Sequence, residues 1–282
     1  MKNGLADKLS DFFEQLGATL KSCVKILLQS RRCAFPDVGP DERIVVMGNG
    51  PSLAETIELH GSEMERLTLL AVNFAALTDE FFRLKPRYYV MADPVFFAAD
   101  ANENLRRLRE NLRRVNWQMT IFVPFGVDVA NIGLPAGGSV EIVRFNNIGA
   151  EGFEWFECMV YNRRLAMPRP RNVLIPSIMI ALWIGYKDVR IVGADHSWTR
   201  TLEVDDNNTV ISVQPHFYAD NDVEHQRVRS VYSNIRLHEI IHSFYVAFKA
   251  YFAIERYAVR IGAKIINATP GSFIDAFKRG SI

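Results

Sequence analysis

Apolar positions along this chain change their spacing near residue 40. Before it, Leu5, Leu9, Phe12, Leu16, Leu20, Val24 and Leu27 recur every three or four residues, the spacing of one stripe on a helix over residues 4–29. Pro36 and Pro40 mark a linker after it. Beyond residue 41, short branched apolar runs alternate with longer helical patterns, which predicts a mainly parallel sheet covered on both faces. The strands are expected at 43–47, 67–72, 87–91, 119–123, 140–143, 189–192 and 264–266. The helices are expected at 53–65, 97–115, 174–185, 224–261 and 272–279. The segment 125–171, punctuated by Gly126, Gly133, Pro135, Gly137, Gly138, Pro168 and Pro170, reads as a lid-like insertion or substrate subsite. Residues 200–222, rich in Asp and Asn, read as a second loop. The organisation expected is an amphipathic helix with linker at 1–40 and a ligand-binding α/β domain at 41–282.

In an open α/β sheet, ligands sit beyond the carboxyl ends of the strands, so the polar residues there carry the chemical information. They are Asn49 after the first strand, Asn73 after the second, Asp93 after the third and Asp195-His196-Ser197 after the run 189–192. The first of these corners is the most pointed. Arg43-Ile44-Val45-Val46-Met47 runs into Gly48-Asn49-Gly50-Pro51-Ser52-Leu53. Two glycines allow a sharp turn and close approach, Pro51 suits a first helical turn, and a helix N-terminus attracts phosphate. An ordinary strand-to-helix turn, with Asn or Asp as helix caps, explains the same residues without a ligand. No Gly-Lys-Ser/Thr follows, and Leu53 stands where a dinucleotide fingerprint has its third glycine.

Composition narrows the classes. With 282 residues, 49% of them hydrophobic, a large core is available. Thirty-three basic against 32 acidic residues give no bulk charge for nucleic acid. Cys23, Cys33 and Cys158 are odd in number and far apart, which predicts reduced thiols. There is no run of 18 uncharged apolar residues and no signal-peptide pattern; the expected place is the cytoplasm. Lys21, Lys25, Arg31 and Arg32 make the first helix basic at its end, so it could lie peripherally on the inner face of an anionic membrane, mediate a homo-oligomer, or dock on its own domain.

Taken together, the Gly48–Leu53 block, Asn73, Asp93-Pro94 and the run Ile184 to Asp195 (IGYKDVRIVGAD) resemble the bacterial lipooligosaccharide sialyltransferases and the wider set of motility-associated and capsule-type glycosyltransferases, including 6-hydroxymethylpterin diphosphokinase-like proteins. The similarity spans roughly residues 43–279. It implies a Rossmann-like nucleotide-binding fold and transfer of a sugar, CMP-activated in the sialyltransferases, to a glycan or lipid-linked acceptor without a metal cofactor. Asn49, Gly50, Ser52 and Asn73 inherit nucleotide contacts from it, with Gly48 and Pro51 shaping the loop. Ser177 is the nearest match to a further nucleotide-contacting serine. Asp93 stands where those sialyltransferases have a third asparagine; it could orient a sugar, or with Asp195 hold Mg²⁺ in an ATP-using diphosphokinase-type alternative. A third possibility is a nucleotide-binding protein without turnover.

Transfer to a sugar hydroxyl needs a base near neutrality, which histidine supplies untuned. His216 is favoured by its loop context, with Tyr218 placed to stabilise a departing phosphate oxygen. His196 and His242 follow, His242-Ser243 matching a dipeptide of the sialyltransferases. His238-Glu239-Ile240-Ile241-His242 also satisfies H-E-x-x-H, which would bind zinc with Glu239 as base and Glu255 as a third ligand. No extension of that motif follows, so no metal site is assigned.

Overall fold

The computed structural model describes residues 4–37, 43–99, 102–135, 137–212 and 235–282. Its helices are α1 (Leu5–Gln29), α2 (Ser52–Met64), α3 (Asp79–Leu84), α4 (Glu103–Arg113), α5 (Glu154–Asn162), α6 (Leu174–Ile184) and α7 (Leu237–Arg260). The strands are β1 (Arg43–Met47), β2 (Thr68–Val72), β3 (Tyr88–Val90), β4 (Met119–Pro124), β5 (Val140–Phe145), β6 (Asp188–Val192), β7 (Leu202–Val204), β8 (Val210–Ser212), β9 (Lys264–Asn267) and β10 (Lys278–Arg279). All seven expected strands are present, with ends moved by no more than two residues.

Eight strands form one parallel sheet in the order β10-β9-β6-β1-β2-β3-β4-β5. The chain builds outward from β1 to β5, crosses back to lay β6 on the other side of β1, and continues to β10. The strand order therefore reverses between β1 and β6, the place where such sheets open a crevice. One face buries Val45, Met47, Leu69, Ala71 and Tyr89 against α2, α3 and α4. The other buries Ile44, Val46, Leu70 and Val90 against α5, α6 and α7. This is the Rossmann-like α/β arrangement the alternation predicts, with apolar residues on both faces of the central strands.

Several details differ from expectation. The fourth helix starts at Glu103, because the Asn102 side chain caps it by accepting from the Leu105 amide at 2.9 Å. The expected helix at 272–279 is a turn leading into β10. There the Ser272 hydroxyl is tied to Asn267 and to the Ala194 carbonyl, and Lys278 and Arg279 pair with β9. These side-chain bonds outcompete a marginal helical pattern. The insertion 125–171 contains α5, and 200–222 contains the β7–β8 hairpin. Residues 224–234 of the helix expected at 224–261 lie outside the described residues.

Helix α1 docks through Thr19, Ser22, Cys23 and Ile26. The Thr19 hydroxyl accepts from the Phe153 amide and the Ser22 hydroxyl donates to the Glu151 carbonyl. Cys23 and Ile26 pack on the core. Most of its apolar stripe faces outward: Leu9, Phe12, Leu20, Val24 and Leu27 remain exposed, as do Phe13 and Leu28, although the Phe12 ring meets Phe153 with centroids 5.5 Å apart. Among the described residues, no helix is long and apolar enough to cross a membrane. The three cysteines are free thiols.

Candidate functional site

The carboxyl ends of β1 and β6 come so close that they leave no room for side chains. A Cβ on Gly48 would sit 2.3 Å from the Gly193 carbonyl oxygen, and one on Gly50 2.0 Å from a carboxylate oxygen of Asp195. Gly193, at φ +62°, has the left-handed backbone that favours glycine. The Gly48 and Gly50 amides donate to the carbonyls of Val192 and Gly193, both at 2.8 Å, and the Ser52 hydroxyl donates to Asp195 at 2.7 Å. The glycines of the first corner thus serve to join two loops of the protein. From behind, the Thr269 hydroxyl accepts from the Ala194 amide, the Ser272 hydroxyl donates to the Ala194 carbonyl and the Phe273 amide donates to the Asp195 carbonyl.

Above this seam opens a cavity of about 440 Å³. It is lined by Gly48, Asn49, Gly50 and Pro51 from the first corner, Asn73 beyond β2, Asp93 beyond β3, and Asp195 and His196 beyond β6. Asn147 beyond β5, Arg171 and Asn172 before α6, and Ser197 after His196 add to the polar lining. Six buried side-chain nitrogen or oxygen atoms lack a hydrogen-bond partner among the described residues, and four of them belong to Asn49, Asn73, Asn147 and Asn172. Burying such groups unpaired is costly, and their concentration around one cavity makes that cavity the candidate site.

The side-chain amides of Asn49 and Asn172 are held from the other side, and Asn73 is held through its backbone. Asn49, 8% exposed, donates to the Val72 carbonyl at 3.1 Å, leaving its oxygen unpaired. Asn73 adopts φ +50°, a left-handed conformation asparagine tolerates, and its own carbonyl accepts from the Tyr89 hydroxyl. Asn172 accepts from the amides of Leu174 and Ile175 at 3.0 and 3.2 Å, leaving its nitrogen unpaired. Charge in the lining is mixed. Asp93 and Asp195 are the carboxylates and Arg171, exposed at the rim, is the permanent cation.

His196 also has a left-handed backbone, φ +50°. Its ring lies against Trp198, centroids 4.1 Å apart, and its Nε2 is 2.6 Å from the Tyr251 hydroxyl. Burial lowers its pKa well below the ordinary histidine value, so the ring is neutral at pH 7.

Comparison with known proteins places the architecture. No protein-family model and no curated protein matches the chain. Among solved structures, the MAf glycosyltransferase from Magnetospirillum magneticum AMB-1 aligns over 90% of this chain with 12% identity and a TM-score of 0.50. The alignment covers 35% of that enzyme's length, so the present chain corresponds to about a third of it. A mammalian sialyltransferase in complex with Gal-beta-1-3GalNAc-ortho-nitrophenol aligns over 67% of this chain and 65% of its own, with 13% identity and a TM-score of 0.32. A second mammalian sialyltransferase structure aligns over 81% and 77%, with 13% identity and a TM-score of 0.33. The structural neighbours are glycosyltransferases; the likeness to the Magnetospirillum enzyme is one of fold, and the two sialyltransferase alignments are too weak to show as much.

Of the residues singled out from sequence, Gly48, Asn49, Gly50, Pro51, Asn73, Asp93, Asp195 and His196 line this cavity. Ser52 reaches it through Asp195. Asp93 is also a helix cap, accepting from the Val95 amide at 2.9 Å. Ser177 lies elsewhere: it is 0% exposed inside α6, its hydroxyl donating to the Val173 carbonyl one turn back. His242 is exposed on α7 and is not part of the cavity. His216 and Tyr218 lie outside the described residues.

The H-E-x-x-H pentapeptide is a helix start. Glu239 accepts from the Arg236 amide at 2.8 Å and so caps the first turn. Glu255, thirteen residues beyond His242 on the same helix, is about 20 Å further along. No group of three metal-ligating side chains occurs among the described residues. Sequence reading missed Asn147 and Asn172. The signal for Asn147 was its place just beyond β5, hidden because that strand runs two residues further than expected.

Proposed function

We propose that this chain is a glycosyltransferase that moves a sugar from a nucleotide-activated donor, a CMP-linked acid sugar, to a hydroxyl of a cell-surface glycan acceptor. The observation that carries this reading is the ring of unpaired side-chain amides around a cavity at the reversal of strand order. Amides both donate and accept, which suits the hydroxyls and carbonyls of a sugar and a pyrimidine. Asn49 and Asn73 take the nucleotide, Asn147 and Asn172 the sugar, and Arg171 offsets the donor's negative charge. Asp93 and Asp195 accept from hydroxyl groups. His196 is the base among the described candidates, because it alone stands in the cavity. It removes the acceptor proton as the nucleotide departs, and the anionic donor beside it raises its basicity when that proton must be taken.

A thermal-shift screen across CMP, UDP, GDP and ATP, each with and without Mg²⁺, tests this. The melting temperature rises by mass action for whatever binds the native state. CMP is expected to give the largest rise, independent of Mg²⁺ and lost in Asn49→Ala. A rise confined to ATP with Mg²⁺ would instead favour diphosphokinase-type transfer, and no rise with any nucleotide removes the reading.

The outward apolar stripe of α1, with Lys21, Lys25, Arg31 and Arg32 near its end, suits peripheral contact with an anionic membrane, where a lipid-linked acceptor would be found. Co-sedimentation with vesicles containing anionic lipid is expected for the full chain and much reduced for Leu20→Glu/Leu27→Glu. Equal sedimentation of both would remove this part.

A further inference from the structure

His196, Tyr251 and Asn172 form a hydrogen-bonded row from the cavity wall into α7 and the start of α6. The His196 Nε2 lies 2.6 Å from the Tyr251 oxygen, and that oxygen lies 3.1 Å from Asn172 Oδ1. The protons in this row follow from its far end. Backbone amides can only donate, and two of them, from Leu174 and Ile175, point at the same Asn172 atom. That atom must therefore be the carbonyl oxygen, and the amide cannot be turned over.

Tyr251 has a single proton to give. Were it directed at His196, the tyrosine oxygen and Asn172 Oδ1 would face each other as two acceptors with no hydrogen between them. With the proton directed at Asn172, both contacts are satisfied, provided the imidazole nitrogen donates. Tyr251 is fully buried in the core, so no water competes for its hydroxyl. The ring neutrality imposed by burial leaves one proton for two nitrogens.

We infer that Asn172 and Tyr251 are positioning residues that hold His196 as the Nε2–H tautomer, so that Nδ1 carries the lone pair. Nδ1 makes no hydrogen bond to the described residues. This deepens the transferase reading and rests on it for its catalytic meaning. The acceptor hydroxyl gives its proton to Nδ1 while its oxygen bonds to the anomeric carbon. The bond from that carbon to the donor phosphate oxygen breaks, and the nucleotide leaves with the electron pair. His196 is then an imidazolium whose Nε2–H is still donated to Tyr251.

The tautomer can be read without turnover. Ring ¹⁵N shifts and two-bond couplings of the full chain labelled with ¹⁵N-histidine, with His196 assigned by the signal lost in His196→Asn, distinguish the two neutral forms. At pH 7.5 the wild type is expected to show the Nε2–H form alone, and Asn172→Asp, which keeps the acceptor, is expected to keep it. Asn172→Ala frees the Tyr251 proton for His196 and should populate the Nδ1–H form; Tyr251→Phe should give a mixture. An Nδ1–H wild type, or an unchanged tautomer in both Asn172→Ala and Tyr251→Phe, overturns the inference. Where turnover is measurable, Tyr251→Phe should lower kcat at least tenfold with little change in donor KM. Absence of turnover with every donor would count against the transferase reading and leave the tautomer result standing on its own.

Discussion

Strand β6 has two ends of opposite character. At its start, Asp188 is saturated: Arg190 reaches it at 2.6 Å, and Arg43 and Lys264, the first residues of the flanking strands β1 and β9, reach it at 3.2 Å each. Burial pushes its pKa up, but hydrogen bonds from Arg190 and Lys264 and the charge of Arg43 prevail and lower it to about 2. At its other end, directly past Val192, the chain forms one wall of a cavity whose amides lack partners among the described residues. One sheet thus holds a polar cluster closed on itself and another left open, and a closed cluster has nothing to offer a ligand. Satisfaction of polar groups, more than their number, separates the supporting end from the candidate site.

The largest effect should come from the open end. His196→Asn is expected to lower kcat about 10²- to 10⁴-fold, the usual contribution of general-base catalysis, with the melting temperature nearly unchanged. An undiminished rate would move the base to another histidine, His216 first. Next comes the seam beneath the cavity. Gly50→Ala places a methyl group against Asp195 and the Gly193 carbonyl, forcing the two loops apart at a cost of about 2–4 kcal/mol. Chemical denaturation would show this, and loss of the nucleotide-induced thermal shift should accompany it.

The smallest effect is at the closed end. Asp188→Asn should cost about 2 kcal/mol at pH 7, since a pKa lowered from 3.8 to about 2 stabilises the fold wherever the carboxylate is ionised. That advantage is complete above pH 4 and disappears as the pH falls through about 2, so wild type and variant should converge in acid. Turnover should be untouched. A variant that lost nucleotide binding while keeping its fold would erase the contrast between the two ends.

Much of this was legible in the chain. Strand β1 reads directly from Arg43-Ile44-Val45-Val46-Met47, because residues buried on both faces leave a continuous apolar run. The rule that ligands meet strand tips singles out Asn49, Asn73, Asp93, Asp195 and His196 from the sequence alone, and all five line the cavity. What stayed hidden depended on distant partners. Nothing local announces that Gly48 is a glycine because of Gly193, or that Asn172 is fixed by α6 and Tyr251. The pattern at 272–279 looked helical because its apolar spacing fits a helix as well as a strand approach, and Ser272 decides the matter through contacts with Ala194 and Asn267. Helix α1 shows the converse: its stripe was plain, yet the face that docks is the one carrying Thr19 and Ser22.

The bond between Ser52 and Asp195 spans 143 positions of chain. Everything from β2 to β6 must be laid down before those two residues can meet, and contacts of such long range form late and slowly. A ribosome-bound chain halted before β6 would therefore carry the conspicuous Gly-Asn-Gly corner without any pocket around it. The cavity takes one wall from Gly193, Asp195 and His196, so no fragment short of β6 can contain it.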